Sequence, residues 1–292
     1  MVIATLASSH TKLNCPQMAT SNVLLTSTSA DNEGLPLAFL SVFRVQFTLA
    51  VLLPLALYLA HAIRKDYHAF LALGPGGTPS TPSGYLRICI LRLVTIRNPL
   101  EPPSIPPTLH PTTGVLSRST IPMRPGSRPI VKGIAPQRQI TQKASSAIYD
   151  SLSKQIHAFA SSHPNTLYTA TSCFEKHSTG IFYSLPTNPT PSTSNATSGT
   201  TNHRITCNGE VCHSHPSDGS LHLTLHPADI RLVLERGWAQ RHPLATDNWW
   251  WGPRSVPRGF VMVYAPRSEE EVKIVGEIIR AAAWWVGGKE VL

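Results

Sequence analysis

Charge is scarce in this sequence. Asp, Glu, Lys and Arg make up 14% of its 292 residues, and the 16 acidic residues are outnumbered by 25 basic ones. With 41% apolar content, that composition rules out a wholly disordered chain and allows one core of ordinary domain size. The 26 prolines, however, keep much of the chain from being regular structure. Cysteine is sparse as well: Cys15, Cys89, Cys173, Cys207 and Cys212 are odd in number and scattered, which excludes a disulfide framework and suits reduced thiols in a cytosolic domain. There is no Walker loop, no Rossmann glycine fingerprint, no nucleophile elbow and no kinase motif set, and the "GPGG" at 74–77 lacks the flanks of a phosphate-binding loop.

The net charge of +9 raises the question of a polyanionic partner, and its placement answers it. Eleven Lys or Arg against Asp66 and Glu101 lie between Arg64 and Lys143, so the whole excess sits in one segment and the remaining chain is neutral. A nucleic-acid partner is therefore not expected. Just before this block, "VQFTLAVLLPLALYLAHAI" (Val45 to Ile63) carries no formal charge over about 28 Å of helix, close to a bilayer's hydrocarbon thickness. It lies too far from the N-terminus for a secretory signal, which predicts a single-pass membrane anchor; the alternative is a buried core helix. Lys and Arg favour the cytoplasmic side, so the C-terminal bulk is expected in the cytosol, at the endoplasmic reticulum or another internal membrane. "GYLRICILRLVTIRN" (Gly84 to Asn98) mixes arginines with long apolar residues, as either an interfacial helix or one packed on the domain would.

The expected organisation is a disordered polar tail at 1–43, a transmembrane helix at 44–64, a basic, proline-rich connector at 65–139, and a folded domain at 140–288 interrupted by a disordered Ser/Thr-rich insertion at 186–203. Within the domain, Ile140, Ala144, Ile148, Leu152, Ile156 and Phe159 recur at helical spacing. The runs "TLYTATSCF", "STGIFYSL", "HRITCNGEVCH", "SLHLTLH" and "GFVMVYAP" read as strands, "PADIRLVLERG" as a short helix, and Ser268 with Glu271 as the capping box of a last helix. The fold class is α+β, with a mainly antiparallel sheet, flanking helices and one N-terminal transmembrane helix.

Chemistry concentrates in "CHSHPSDGSLHLTLH" (Cys212 to His226). Alternation sends Leu221, Leu223 and Leu225 to the core and His222, Thr224 and His226 to the opposite, half-exposed face. Cys207, Cys212, His213 and His215 have the residue types of a zinc site without the usual spacing of two ligand pairs. His213, His215 and His222 could form an open metal triad, because alternate residues on a strand converge on one side. A proton-handling pocket needs near-neutral histidine beside a cation, for which Arg241 and His242 in "GWAQRHPLA" and Glu175 and His177 in "FEKH" are candidates. Solvated or hydrogen-bonded histidines with no chemistry remain the alternative. His226, beside the short helix, reads as a cap or surface residue.

Taken with their order and spacing, "RKDYHAFLALGP", "GYLRICIL", "FEKH", "GEVCHSHPSDGSLHLTL", "GWAQRHPLA" and "YAPRSEEEVKIVGEIIRAA" resemble the fungal luciferases and their luciferase-like relatives, from about Arg64 to Ala283. The resemblance implies oxidation of 3-hydroxyhispidin, a hydroxylated α-pyrone, by molecular oxygen as co-substrate, with no flavin or metal, through a peroxide that loses carbon dioxide and emits light. Matching positions are Glu175, His177, His213, His215, Asp218, His222, Arg241 and His242 as catalytic candidates, with Trp238, Tyr264 and Arg267 as substrate-binding candidates. The roles expected are a base among His177, His213 and His222, Arg241 as an enolate clamp, and Glu175 or Asp218 orienting a histidine. Other small phenolic or polyketide substrates fit the same chemistry, and a non-catalytic, membrane-tethered ligand-binding or scaffold protein is the alternative from another class.

Overall fold

The computed structural model describes residues 37–184, 206–246 and 256–288. The first 36 residues, the insertion at 186–203 with its Asn195-Ala196-Thr197 glycosylation triplet, and Trp249 to Trp251 lie outside the described residues. The chain divides into two compact units, 1–58 and 59–292.

In the first unit the described residues form one helix, the N-terminal part of α1 (Leu37–Leu71). Ser41–Leu71 is long and apolar enough to cross a membrane, and its leucines and phenylalanines from Phe43 to Leu59 are exposed. This helix outruns the span read from the sequence at both ends. Pro54 does not stop it, and nothing at Arg64-Lys65 breaks a helix; it ends shortly before Gly74, whose φ of +78° suits a residue without Cβ.

The second unit is built on a six-stranded antiparallel sheet in the order β3-β4-β5-β6-β8-β7, where β3 is Leu167–Thr171, β4 Thr179–Tyr183, β5 Glu210–Ser214, β6 Leu221–Thr224, β7 Ala239–Arg241 and β8 Phe260–Val263. Three helices lie along one face: α3 (Ser146–Ser161), α4 (Pro227–Glu235) and α5 (Glu269–Gly287). Leu221, Leu223 and Leu225 are fully buried there with Leu152, Ile156, Val275 and Ile279, as alternation along β6 requires. Truncating any one of these leucines to alanine costs about 2–5 kcal/mol. The helix starts follow their caps. Ser145 accepts from Ile148 N, so α3 begins after Ala144, leaving Ile140 exposed ahead of it. Ser268 accepts from Glu271 N at the head of α5, and His226 Nδ1 accepts from Ala228 N at the head of α4.

The opposite face of the sheet is covered as well, which the alternation in β6 did not suggest. His222, Thr224 and His226 are all buried. The cover comes from 65–139, the stretch read from its prolines as a connector. A hairpin of β1 (Val131–Gly133) and β2 (Gln137–Gln139) buries all three residues of its second strand. Beside it α2 (Pro82–Leu91) buries Ile88 and Leu91 with Phe70, Ile134, Leu244 and Phe260. Asp66, one of the two acidic residues in the basic block, accepts from Tyr85 Oη at 2.8 Å and pairs with Arg92. Gly77 explains the "GPGG" run: a Cβ there would sit 2.1 Å from Phe174 O, so only glycine lets this loop meet the turn after β3.

Candidate functional site

Two neighbouring central strands bring the histidines together. His213 on β5 lies directly across from His222 on β6, and His215 follows His213 by two residues, so all three side chains leave the same face. Their rings lie 4.7–5.3 Å apart, they are at most 5% exposed, and a ring nitrogen from each falls within 4.8 Å of the other two.

A local irregularity supplies the first partner. Three residues apart on a regular strand, Glu210 and His213 would face opposite ways. The pairing of β4 with β5 slips at this point: Ile181 faces Cys212, but Phe182 faces Glu210, which leaves Val211 extra. Such a bulge turns Glu210 onto the histidine face. Its buried carboxylate accepts His213 Nδ1–H at 2.6 Å, Ser172 Oγ–H at 2.7 Å and Cys173 N–H at 2.7 Å. The anion fixes the imidazole's orientation and leaves Nε2 free of that bond.

The other two rings are fixed in similar fashion. Ser220 Oγ gives its proton to Asp218 Oδ1 at 2.6 Å and so accepts from His215 Nδ1 at 2.9 Å. His215 Nε2 then carries a lone pair, is buried and has no hydrogen-bond partner; Glu175 Oε2 is 3.8 Å away. His222 Nε2 donates to Gln137 Oε1 at 2.9 Å, which turns its Nδ1 toward His213 Nε2 at 3.3 Å. Burial, and then the positive charge that neighbouring imidazoles and Arg138 would add, hold His215 and His222 well below the usual histidine range. Burial raises the Asp218 carboxyl against its bonds from Ser220 and Gln139.

His213 and His222, with His242, floor one end of a cavity of about 180 Å³, and His215 lies behind them. Phe174, Phe260, Leu91 and Leu244 form apolar walls, and Phe260 stacks on His222 at 5.0 Å. Glu175, Lys176 and Arg87 add charge. Glu175 is nearly buried and accepts Arg138 Nη2 at 2.5 Å. Lys176 is held at φ +65°, an uncommon conformation for a residue with a side chain.

Not every residue singled out from the sequence reaches this place. "FEKH" lies in the turn between β3 and β4 rather than on a strand, which brings Glu175 to the cavity and leaves His177 exposed outside the cluster. Asp218 orients His215 through Ser220, while the carboxylate that touches His213 is Glu210. His242 sits against His222 at 5.3 Å, but both of its nitrogens are engaged: Nε2 donates to Ile134 O and Nδ1 accepts Leu244 N–H. Burial depresses it to about 4. Arg241 precedes His242 at the end of β7, and successive residues on a strand face opposite sides. Its guanidinium donates to Ala245 O and Glu101 O and lines a separate cavity of about 610 Å³.

Trp238, Tyr264 and Arg267 cluster around Arg124 instead. The guanidinium of Arg124 lies 5.9 Å from the Trp238 ring and 5.7 Å from the Tyr264 ring. Trp238 Nε1 donates to Pro122 O, and Tyr264 Oη to Gln240. Arg267 pairs with Glu271 at the start of α5 and reaches Pro125 O. Sequence reasoning missed Glu210, Gln137, Arg138, Ser220 and Phe260. Only Glu210 and Ser220 sit inside the quoted histidine motif, and no spacing rule points from there to "PQRQ" at 136–139.

Sequence comparison relates the chain to known proteins. Residues 208–282, which carry β5 to β8, α4 and most of α5, match the luciferase domain family. The chain is 34% identical over 223 residues to a luciferase of Neonothopanus nambi, covering 75% of this chain and 79% of that one. Luciferases of Armillaria ostoyae and Armillaria mellea are likewise 34% identical over 223 residues, covering 75% of this chain and 80% of theirs. No solved structure matches.

Proposed function

We propose that this chain, which belongs to the luciferase domain family, oxidises a small enolic substrate of the 3-hydroxyhispidin type, or a related phenolic or polyketide compound, with molecular oxygen. The observation that carries the reading is the buried group of three histidines, backed by Glu210 and flanked by Glu175, at the polar end of a pocket walled by aromatic and aliphatic side chains.

An electron-rich enol must lose its proton before it can give electrons to oxygen. The histidine and carboxylate cluster supplies electron pairs to draw that proton away, and Lys176 and Arg87 offer positive charge to the enolate. The enolate carbon then takes up oxygen to give a peroxide, which loses carbon dioxide. Phe174 and Phe260 supply a flat, dry surface suited to a planar pyrone, and exclusion of water protects an excited product. Arg241, expected from the sequence to clamp the enolate, lines a different cavity, and Lys176 and Arg87 take over that role in this reading.

The same reading takes Val45 to Ile63, within the apolar helix Ser41–Leu71, as a single membrane anchor that leaves the C-terminal domain in the cytosol, at the endoplasmic reticulum or another internal membrane.

The test is oxygen consumption and photon emission by membranes containing the full chain, supplied with 3-hydroxyhispidin or with the analogue lacking the 3-hydroxyl. Uptake with the first compound and none with the second is expected, because the 3-hydroxyl is what makes the enolate electron-rich enough to give electrons to oxygen. Equal rates with both, or none with either from folded protein, would refute the assignment. Protease protection of sealed vesicles tests orientation: digestion of the C-terminal unit from the cytosolic side is expected, and full protection would reverse the topology.

A further inference from the structure

The geometry points to a binding site for one divalent first-row transition-metal ion at His213, His215 and His222, through His213 Nε2, His215 Nε2 and His222 Nδ1, with open coordination positions toward the pocket.

Three independent features converge on it. The first is the direction of the ring nitrogens. Each ring has one nitrogen committed elsewhere, His213 Nδ1 to Glu210, His215 Nδ1 to Ser220 and His222 Nε2 to Gln137, so the remaining nitrogen of each is turned toward the other two. His213 Nε2 and His222 Nδ1 can share one proton between them, whereas a small cation would satisfy all three nitrogens at once. His215 Nε2 shows the shortfall directly, since it is buried with no hydrogen-bond partner.

The second feature is distance. Metal to imidazole bonds of about 2.0–2.1 Å at tetrahedral angles place ligand nitrogens about 3.3 Å apart. His213 Nε2 and His222 Nδ1 stand 3.3 Å apart. The remaining separations do not exceed 4.8 Å, so His215 has at most about 1.5 Å to close, within reach of a side-chain adjustment.

The third is the outer layer. Metal-bound histidines nearly always give their other N–H to an acceptor that fixes the ring and raises its donor strength. Here all three do so: a carboxylate for His213, a hydroxyl backed by Asp218 for His215, and an amide oxygen for His222. His242 shows the contrast, since both of its nitrogens are used by backbone groups. Imidazole donors suit zinc, copper, iron or nickel rather than magnesium or calcium. Glu175, 3.8 Å from His215 Nε2 and facing the pocket, is placed to be a fourth ligand or to accept a proton from something bound at the ion.

The inference departs from the cofactor-free chemistry that the family resemblance suggests, and only its consequence for catalysis depends on the proposed function. The experiment is metal binding by the tag-free full chain in detergent, stripped with chelator and titrated with cobalt(II), with zinc(II) as competitor. One equivalent per chain is expected, with visible absorption of a low-coordinate imidazole site. His215→Ala should weaken binding by more than tenfold. Glu210→Gln, which keeps all three ligands, should weaken it about 10–100-fold. Less than a tenth of an equivalent bound by folded protein, or binding unchanged in both variants, would overturn the inference. Metal binding without oxygen uptake would support the site and count against the oxidase reading.

Discussion

Replacement of Glu210 by glutamine is the sharpest perturbation the site offers, because shape is nearly conserved while charge and acceptor capacity are not. The carboxylate receives His213 Nδ1–H and Ser172 Oγ–H on one oxygen and Cys173 N–H on the other. An amide has one oxygen to offer, so at least one buried donor loses its acceptor and meets an NH2 group. A buried donor without a partner costs about 1–3 kcal/mol, toward the upper end where the lost acceptor was charged. For a unit of this size each kcal/mol shifts the melting temperature by roughly 2–4 °C, so a fall of roughly 2–12 °C is expected in detergent. Function should fall further than stability, because His213 loses the anion that holds its orientation and supports positive charge on or near it. Oxygen uptake with 3-hydroxyhispidin, measured well below the variant's melting temperature, should drop about 10–100-fold. A variant that melts and turns over like the natural chain would refute the claim that Glu210 organises the site.

Other substitutions separate the site from its scaffold. Arg241→Ala strips donors from Ala245 O and Glu101 O in a buried corner and should lower stability by about 1–3 kcal/mol, read as a lower melting temperature. His177→Ala, at an exposed turn, should change stability by less than about 0.5 kcal/mol and leave oxygen uptake within about twofold. Arg267→Ala tests pH dependence through Glu271. Burial raises that carboxyl, but bonds from Arg267 and the charge of Arg124 outweigh it, so the folded pKa lies below the ordinary one. Such a group contributes stability that is present above the unfolded value of about 4.3 and lost as pH falls through the folded pKa. The natural chain should therefore show a steeper acid-side loss than Arg267→Ala, and parallel melting curves across pH 3–6 would contradict it.

How much of this was legible beforehand follows from the range over which each signal acts. Helices and strands declared themselves locally: the alternating leucines of β6, the capping box at Ser268 and the apolar run in α1 each lie within one element. The pairing of His213 with His222 was also within reach, because "PSDG" at 216–219 sets the hairpin. What covers the histidine face was not. Gln137 and His222 are 85 positions apart, and proline-rich composition gives no sign that 131–139 folds over a sheet. The bulge that turns Glu210 inward depends on how β4 meets β5, which no pattern within β5 contains. Arg241 was misplaced for a simpler reason. It neighbours His242 in the motif, and in a strand adjacency in sequence means opposite faces.

The central claim is that oxidation takes place over the histidine cluster, and oxygen uptake by two variants tests it most directly. Membranes carrying His213→Ala or Arg241→Ala, each shown to be folded by its melting transition, are compared with the natural chain on 3-hydroxyhispidin. Loss of a hundredfold or more in His213→Ala, with Arg241→Ala within about tenfold of the natural rate, is the expected result. Uptake that survives the loss of His213 and disappears with Arg241 would move the reaction to the other cavity and contradict the account.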